Sequence, residues 1–400
     1  MKNHLISVLI ILFSSQYFSL FSQVSHKPEG TIVNYLPKTE EKYIGSPGMA
    51  ILPNGYYVAS HDEFGPKSTE FRSAQTRIFL SKDRGNSWEK IADIDGQFWS
   101  NLFVHRGDLY LMGTHKHHGN VIIRKSIDNG YTWTNPYRKD NGLILEGEYH
   151  TAPMPIVYHN GRIWRTIEYA TGFTSAWGKR YSAMILSAPD DANLLESESW
   201  TSSNPLPYDS TYLDGHFRAW LEGNAVVTPE GGMANILRVD VPAGHPEMAA
   251  IIRISNGGRT ACFNKQVDFI RFPGGAKKFT IRYDDVSKRY WSLVNYVAPE
   301  LSELTPGSVR NNLAIASSSD LLDWTIHSVL LSHPDQKLHG FQYVEWLIDG
   351  EDLVYLVRTA YDDEFGGARN NHDANYLIFH RLEKFRKQLK KEMITVVNNR

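Results

Sequence analysis

One short pattern constrains this chain more than any other. Ser81-Lys82-Asp83-Arg84-Gly85-Asn86-Ser87-Trp88 and Ser126-Ile127-Asp128-Asn129-Gly130-Tyr131-Thr132-Trp133 share the form S-x-D-x-G-x-[ST]-W. A degenerate copy without the glycine runs from Ser318 through Asp320 to Trp324. Each copy follows a run of aliphatic residues, as a hairpin turn does. The aspartate accepts hydrogen bonds from turn amides, the glycine supplies a positive φ, and the tryptophan covers the turn from the next strand. Asp83 and Asp128 are therefore turn-formers rather than reactive groups, and a turn that repeats implies a sheet that repeats.

Further tight-turn signals stand at Pro53-Asn54-Gly55, Arg106-Gly107-Asp108, Asn160-Gly161, Pro229-Glu230-Gly231-Gly232, 284–289 and Asp349-Gly350-Glu351. They recur about every 60 residues, within the range of propeller blades and solenoids. Additional runs, such as 76–80, 120–124 and 312–316, bring each interval to about four strands, the size of one blade. The expected fold is all-β, a single β-propeller of four-stranded blades, six by hairpin count, with seven left open by the long 150–215 stretch. The segment 31–36 is a candidate outer strand for the last blade, closing the ring. Near-twin stretches, His61-Asp62-Glu63-Phe64-Gly65 and Asp362-Asp363-Glu364-Phe365-Gly366, read as equivalent loops of the first and last blades.

The first residues read as an export signal. Lys2 and His4 precede the apolar run 5–13, which is too short for a membrane span, and a polar break follows at 14–16. The domain expectation is a leader over 1–24, a catalytic propeller over 25–390 and a tail over 391–400, with a secreted or periplasmic location and no membrane insertion after cleavage. A lone cysteine, Cys262, excludes an intrachain disulfide and reads as a buried small hydrophobe. The near balance of 42 basic and 44 acidic residues gives no electrostatic footprint for nucleic acid.

In a propeller, the ends of the second strands and the starts of the innermost strands share one face. That rule gathers His61, His115, Arg165, Arg238 and Arg358 with Tyr149, His150, Arg218, Trp220 and Glu222. The set is rich in His and Arg and poor in the paired carboxylates of ordinary glycosidases. It suits β-elimination beside a uronic acid. Arginine neutralises the carboxylate and stabilises the enolate-like intermediate, while His or Tyr moves the protons. His61, Tyr149 and Arg165 are the catalytic candidates, and the other seven are substrate-binding candidates. The cluster His115, His117 and His118 lacks a carboxylate and supports no metal site. No cofactor is expected.

The eight-residue pattern resembles the Asp-box of sialidase-type propellers. Sialidases carry an early Arg-Ile-Pro. The corresponding region here, Tyr43-Ile44-Gly45-Ser46-Pro47-Gly48-Met49, holds no arginine. With His61, Tyr149 and Arg165, the chain looks like the Asp-box propellers that attack rhamnose–glucuronate linkages: the L-rhamnose-α-1,4-D-glucuronate lyases, related α-L-rhamnosidases and ulvan lyases. The resemblance implies a lyase whose partner is a uronic-acid-containing glycan. The alternatives are a rhamnosidase-like or sialidase-like exo-glycosidase and a non-catalytic glycan-binding propeller.

Overall fold

The computed structural model describes residues 27–398, so the expected leader lies outside the described residues. Apart from one four-residue α-helix and short 3-10 turns, the described chain is built of strands. The turns at 53–55, 106–108, 160–161, 229–232, 284–289 and 349–351 join the first and second strands of each meander, and the Asp-box turns join the third and fourth. Blade I spans 43–95 and blade II 98–145. Blade III spans 149–202, blade IV 219–271, blade V 280–332 and blade VI 340–382. Blades II and III are hydrogen-bonded into one eight-stranded sheet. The strand Leu143–His150 ends blade II and then, at Tyr149 and His150, pairs with Arg162–Tyr169 of blade III.

The hydrophobic packing follows the same division. Apolar clusters sit between successive blades: Val58 and Ile78 against Leu102 and Leu111, Met112 and Ile123 against Ile163 and Leu186, and Ile185 against Leu237 and Ile252. They continue with Ile236 and Phe272 against Ile281 and Trp324, then Trp291 and Ile315 against Trp346 and Leu353. A final cluster joins Val354 and Phe379 to Ile44 and Tyr57 of blade I. Strands buried on both faces by neighbouring blades read as continuous apolar runs rather than as alternation, which is why Val357 and Leu356 are both fully covered.

Thr31–Tyr35 pairs antiparallel with Tyr376–Leu382 and forms the outer edge of blade VI. The two ends of the described chain thus reach neighbouring parts of the ring. The C-terminal residues depart from the expected tail, because Ile394–Val396 adds an outer strand to blade V against Trp324–Ile326. Cys262 is exposed rather than buried: in the short edge strand Thr260–Cys262, Ala261 points inward and its neighbours point out.

The Asp-box turns are built alike. Asp83 accepts from Ser81 Oγ at 2.8 Å and Ser87 N at 2.9 Å, and Asp128 accepts from Ser126 Oγ at 2.8 Å and Thr132 N at 2.9 Å. In the degenerate copy Leu321 takes the positive φ of 68° that glycine takes elsewhere.

Candidate active site

A second repeat lies on the inside of the ring. The innermost strands of blades I, II, IV and VI each carry a bulge at the same place, where two residues oppose one. Pairing jumps between Ile44↔Glu63 and Pro47↔His61, and between Phe98↔Thr114 and Asn101↔Met112. It jumps likewise between Leu221↔Arg238 and Asn224↔Ile236, and between Gln342↔Arg358 and Glu345↔Leu356. The first extra residue is Gly45, Trp99, Glu222 or Tyr343. The last three adopt left-handed conformations, with φ of 49°, 56° and 52°. Such backbone costs about 1–3 kcal/mol per residue and concentrates where a side chain must be re-aimed. All four line one axial cavity of about 340 Å³.

Glu222 and Tyr343 meet there, the phenol donating to Glu222 Oε1 at 3.0 Å. Arg238 donates to Glu222 Oε2 at 2.9 Å and also holds Asp240, so its charge is matched by two carboxylates. Burial is the largest single influence and works to raise the Glu222 carboxyl, but Arg238, His150 and Tyr343 together outweigh it and the net direction is down. Burial pushes the Tyr343 phenol up, and Glu222 adds to that.

Two further guanidiniums have no such partner. Arg310 is 6% exposed and Arg358 3% exposed, and among the described residues neither has a carboxylate within ion-pair reach. Arg310 donates to Gln342 Oε1 at 2.7 Å and Arg358 to the His372 carbonyl at 2.6 Å. Arg358 Nε is buried without any hydrogen-bond acceptor. The Arg358 guanidinium lies 4.4 Å from the Phe64 ring centre and 4.8 Å from that of Tyr343. Burial lowers both arginines, Arg310 to about 10. It also lowers His372, to about 4, with Arg358 adding to the effect. Buried cations without counter-ions are costly, and an anionic ligand is what would relieve them.

The opposite wall is carboxylate and imidazole. Asp62 accepts from the Ser46 and Trp99 amides, both at 2.6 Å, so its two oxygens tie the bulges of blades I and II together. Gly45 makes this possible, since a Cβ there would stand 1.7 Å from Asp62 Oδ1. Burial raises the Asp62 carboxyl to about 6 against the pull of those amides. His150 lines the cavity with Nδ1 2.7 Å from Glu168 Oε2.

The structure therefore redistributes the residues expected from sequence. His150, Glu222, Arg238 and Arg358 converge on the cavity. His61 does not: its ring is fully buried between strands, bonded to Asn34 at 2.8 Å and to the Asp62 carbonyl at 2.8 Å, and on this regularly paired strand it is the neighbouring Asp62 that turns to the cavity. Tyr149 packs in the core between blades II and III against Tyr169. Arg165 spends its guanidinium on Asn101 and the carbonyls of Thr166 and Ala152. Trp220 is core, packed edge-on to Phe217. Arg218 faces a separate groove beside Asp240, and His115 Nδ1 closes its own loop by accepting from the Asn120 amide. Sequence reasoning missed Tyr343, Arg310, Asp62 and His372. A readable signal for the bulges was a polar residue inside an apolar strand: Asn101, Asn224 and Glu345 each lie two residues after the re-aimed side chain.

A larger hollow of about 890 Å³ opens at the other end of the axis, lined by Met49, Val104, Val227 and Leu347 among others. Arg282, which also lines it, is taken up by Glu345. The convergent chemistry is at the Tyr343 end.

No family model and no curated protein matches this chain in sequence. Solved structures do match its fold. They include an α-L-arabinanase from Penicillium chrysogenum, 13% identical over 91% of this chain and 99% of that one, with a TM-score of 0.53. The α-L-arabinofuranosidase Arb93A from Fusarium graminearum is 12% identical over 89% and 98%, with a TM-score of 0.59. The Hadza microbial sialidase Hz136 is 14% identical over 88% and 68%, with a TM-score of 0.57. At these identities the likeness is one of fold: this chain is an all-β propeller of the fold that the arabinanase and sialidase structures share.

Proposed function

We propose that this chain is a glycoside hydrolase acting on a sugar that carries a carboxylate, with Tyr343 as nucleophile and Glu222 as its base. The observation that carries the reading is the Tyr343–Glu222 hydrogen bond in a cavity holding two buried, uncompensated arginines. A substrate carboxylate between Arg310 and Arg358 supplies the missing counter-ion. The same carboxylate would repel an anionic nucleophile. A neutral phenol avoids that repulsion in the ground state and becomes nucleophilic only as Glu222 takes its proton. The phenol oxygen bonds to the anomeric carbon, the glycosidic C–O bond breaks, and the departing oxygen takes a proton from the opposite wall. Water then releases the sugar with retained configuration, in the manner of tyrosine-nucleophile exceptions to the two-carboxylate scheme.

The elimination chemistry expected from sequence rested on His61, Tyr149 and Arg165, none of which lines the cavity. Support therefore passes to the exo-hydrolase alternative. Of the three fold neighbours described above, one is named a sialidase and two are named an arabinanase and an arabinofuranosidase. The arginine pair favours the acidic sugar.

Fluorogenic glycosides of a sialic acid, of glucuronic acid and of arabinose test this. The expected result is release from an acidic glycoside with retention, lost in Tyr343→Phe. Turnover of the arabinoside alone sinks the reading, and an unsaturated product absorbing in the near ultraviolet returns it to elimination. The export signal expected at 1–24 suits a secreted or periplasmic enzyme meeting such glycans.

A further inference from the structure

We propose that His150, oriented by Glu168, is the group that hands the proton to the leaving oxygen and takes one back from water, and that Asp62 is a scaffold carboxylate. This rests on the hydrolase reading above. His150 and Glu168 are direct cross-strand partners at the cavity end of blade III. Nδ1 is 2.7 Å from Glu168 Oε2, and Glu168 Oε1 accepts from the Gly223 amide at 3.4 Å, beside the bulge that aims Glu222. Both residues are buried, at 4% and 0% exposure, and the imidazole is wedged between Tyr181, stacked at 4.4 Å, and Trp99, edge-on at 4.5 Å. A carboxylate on Nδ1 fixes the tautomer and leaves Nε2 as the working nitrogen. Tyr343 stands on blade VI, three units round the ring, so nucleophile and proton donor occupy opposite walls, as displacement at an anomeric carbon requires.

Asp62 lacks this freedom. Both of its oxygens already accept backbone amides, which anchors the carboxyl in the wall between the bulges of blades I and II. The step balances simply. As the phenol oxygen bonds to the anomeric carbon, the bonding pair of the glycosidic C–O goes to the leaving oxygen, which takes the proton from His150 Nε2. In the second half, neutral His150 takes a proton from the attacking water. The ionisable groups that face the imidazole are Glu168 on its partner strand, Glu222 across the cavity, and His118 and Tyr181 beside it.

The test compares an activated nitrophenyl glycoside, whose leaving group needs no proton, with an unactivated disaccharide of the same acidic sugar. His150→Gln should keep kcat/KM on the first within about tenfold, with kcat lowered because water attack loses its base, and lose about 10²–10⁴-fold in kcat/KM on the second. Glu168→Gln should lower kcat/KM on the disaccharide far more than on the nitrophenyl glycoside, a split that a merely structural glutamate would not produce. Asp62→Asn should lower both substrates alike. An equal loss of kcat/KM on both substrates in His150→Gln, or a loss in Asp62→Asn confined to the disaccharide, overturns the assignment while leaving the hydrolase reading intact. A wild type that cleaves neither substrate overturns both.

Discussion

The ring contains two repeats, and they use sequence in opposite ways. In the outer repeat the chemistry is constant: Asp83 and Asp128 make the same bonds to the same partner types at nearly the same distances. In the inner repeat only the backbone is constant. Four bulges share one register jump, while the aimed residue changes from Gly45 to Trp99, Glu222 and Tyr343. The residue opposite the start of each jump changes too, from Glu63 and Thr114 to Arg238 and Arg358. Where side chains build the turn, their identity is fixed by the turn. Where the backbone does the aiming, each blade is free to present a different functional group, and an asymmetric site arises from a symmetric scaffold.

That contrast can be broken most severely at the inner repeat. Tyr343→Phe or Glu222→Gln should lower kcat by about 10³-fold or more, as loss of a nucleophile or its base does. Thermal unfolding should change little, and steady-state kinetics beside a melting curve checks both.

Arg358→Met comes next. Loss of a desolvated charge pair with the ligand should weaken binding of an acidic sugar by about 2–5 kcal/mol, or roughly 30- to 5 × 10³-fold. Without ligand the same variant should be as stable as wild type or more so, since it removes a buried cation that lacks a counter-ion. Calorimetric titration and denaturant midpoints read the two effects. A variant that loses both affinity and stability would show that Arg358 is scaffold.

The third prediction concerns pH. Burial lowers His61 to about 4, so the folded state resists a proton that the unfolded chain takes up near 6.5. Its contribution to stability is present above about pH 6.5 and is lost as pH falls toward 4, by up to about 3 kcal/mol. His372 and His380, also lowered to about 4, act in the same direction. Asp62 has the opposite sign: raised to about 6, it favours the fold more as pH drops through that value. Urea midpoints between pH 7 and 4 should fall in wild type, and less steeply in His61→Gln.

The smallest effect belongs to the outer repeat. Asp128→Ala removes hydrogen bonds to Ser126 and Thr132 at an exposed turn and should cost about 1 kcal/mol, with kcat/KM unchanged. A large activity loss there would contradict the division between the two repeats.

The Asp-Glu-Phe-Gly twins show how sequence similarity can point to the wrong equivalence. The first copy lies within the strand Tyr57–Phe64 and sends Asp62 and Phe64 to the cavity. The second begins after the strand Asp352–Ala360 ends. There Asp363 accepts from the amides of Phe365 and Gly367 at 2.8 Å, and Phe365 is half exposed. By register, the blade VI counterpart of Glu63 is Arg358, not Glu364. Phe64 and Arg358 nonetheless meet across the ring closure, at 4.4 Å.

The sequence alone determined what is local. Turn residues, strand composition and their spacing specify four-stranded meanders, because a tight turn is built from the side chains and φ angles of a few consecutive residues. It also placed His150, Glu222, Arg238 and Arg358 on the correct face. Tertiary structure decided which side chains reach the axis. A strand alternates faces at every residue, so a single bulge exchanges the inward for the outward set. Plain alternation on the second strand of blade I puts Asp62 in the cavity and His61 in the wall, while the bulges of blades IV and VI join Tyr343 to Glu222 across 121 residues of chain.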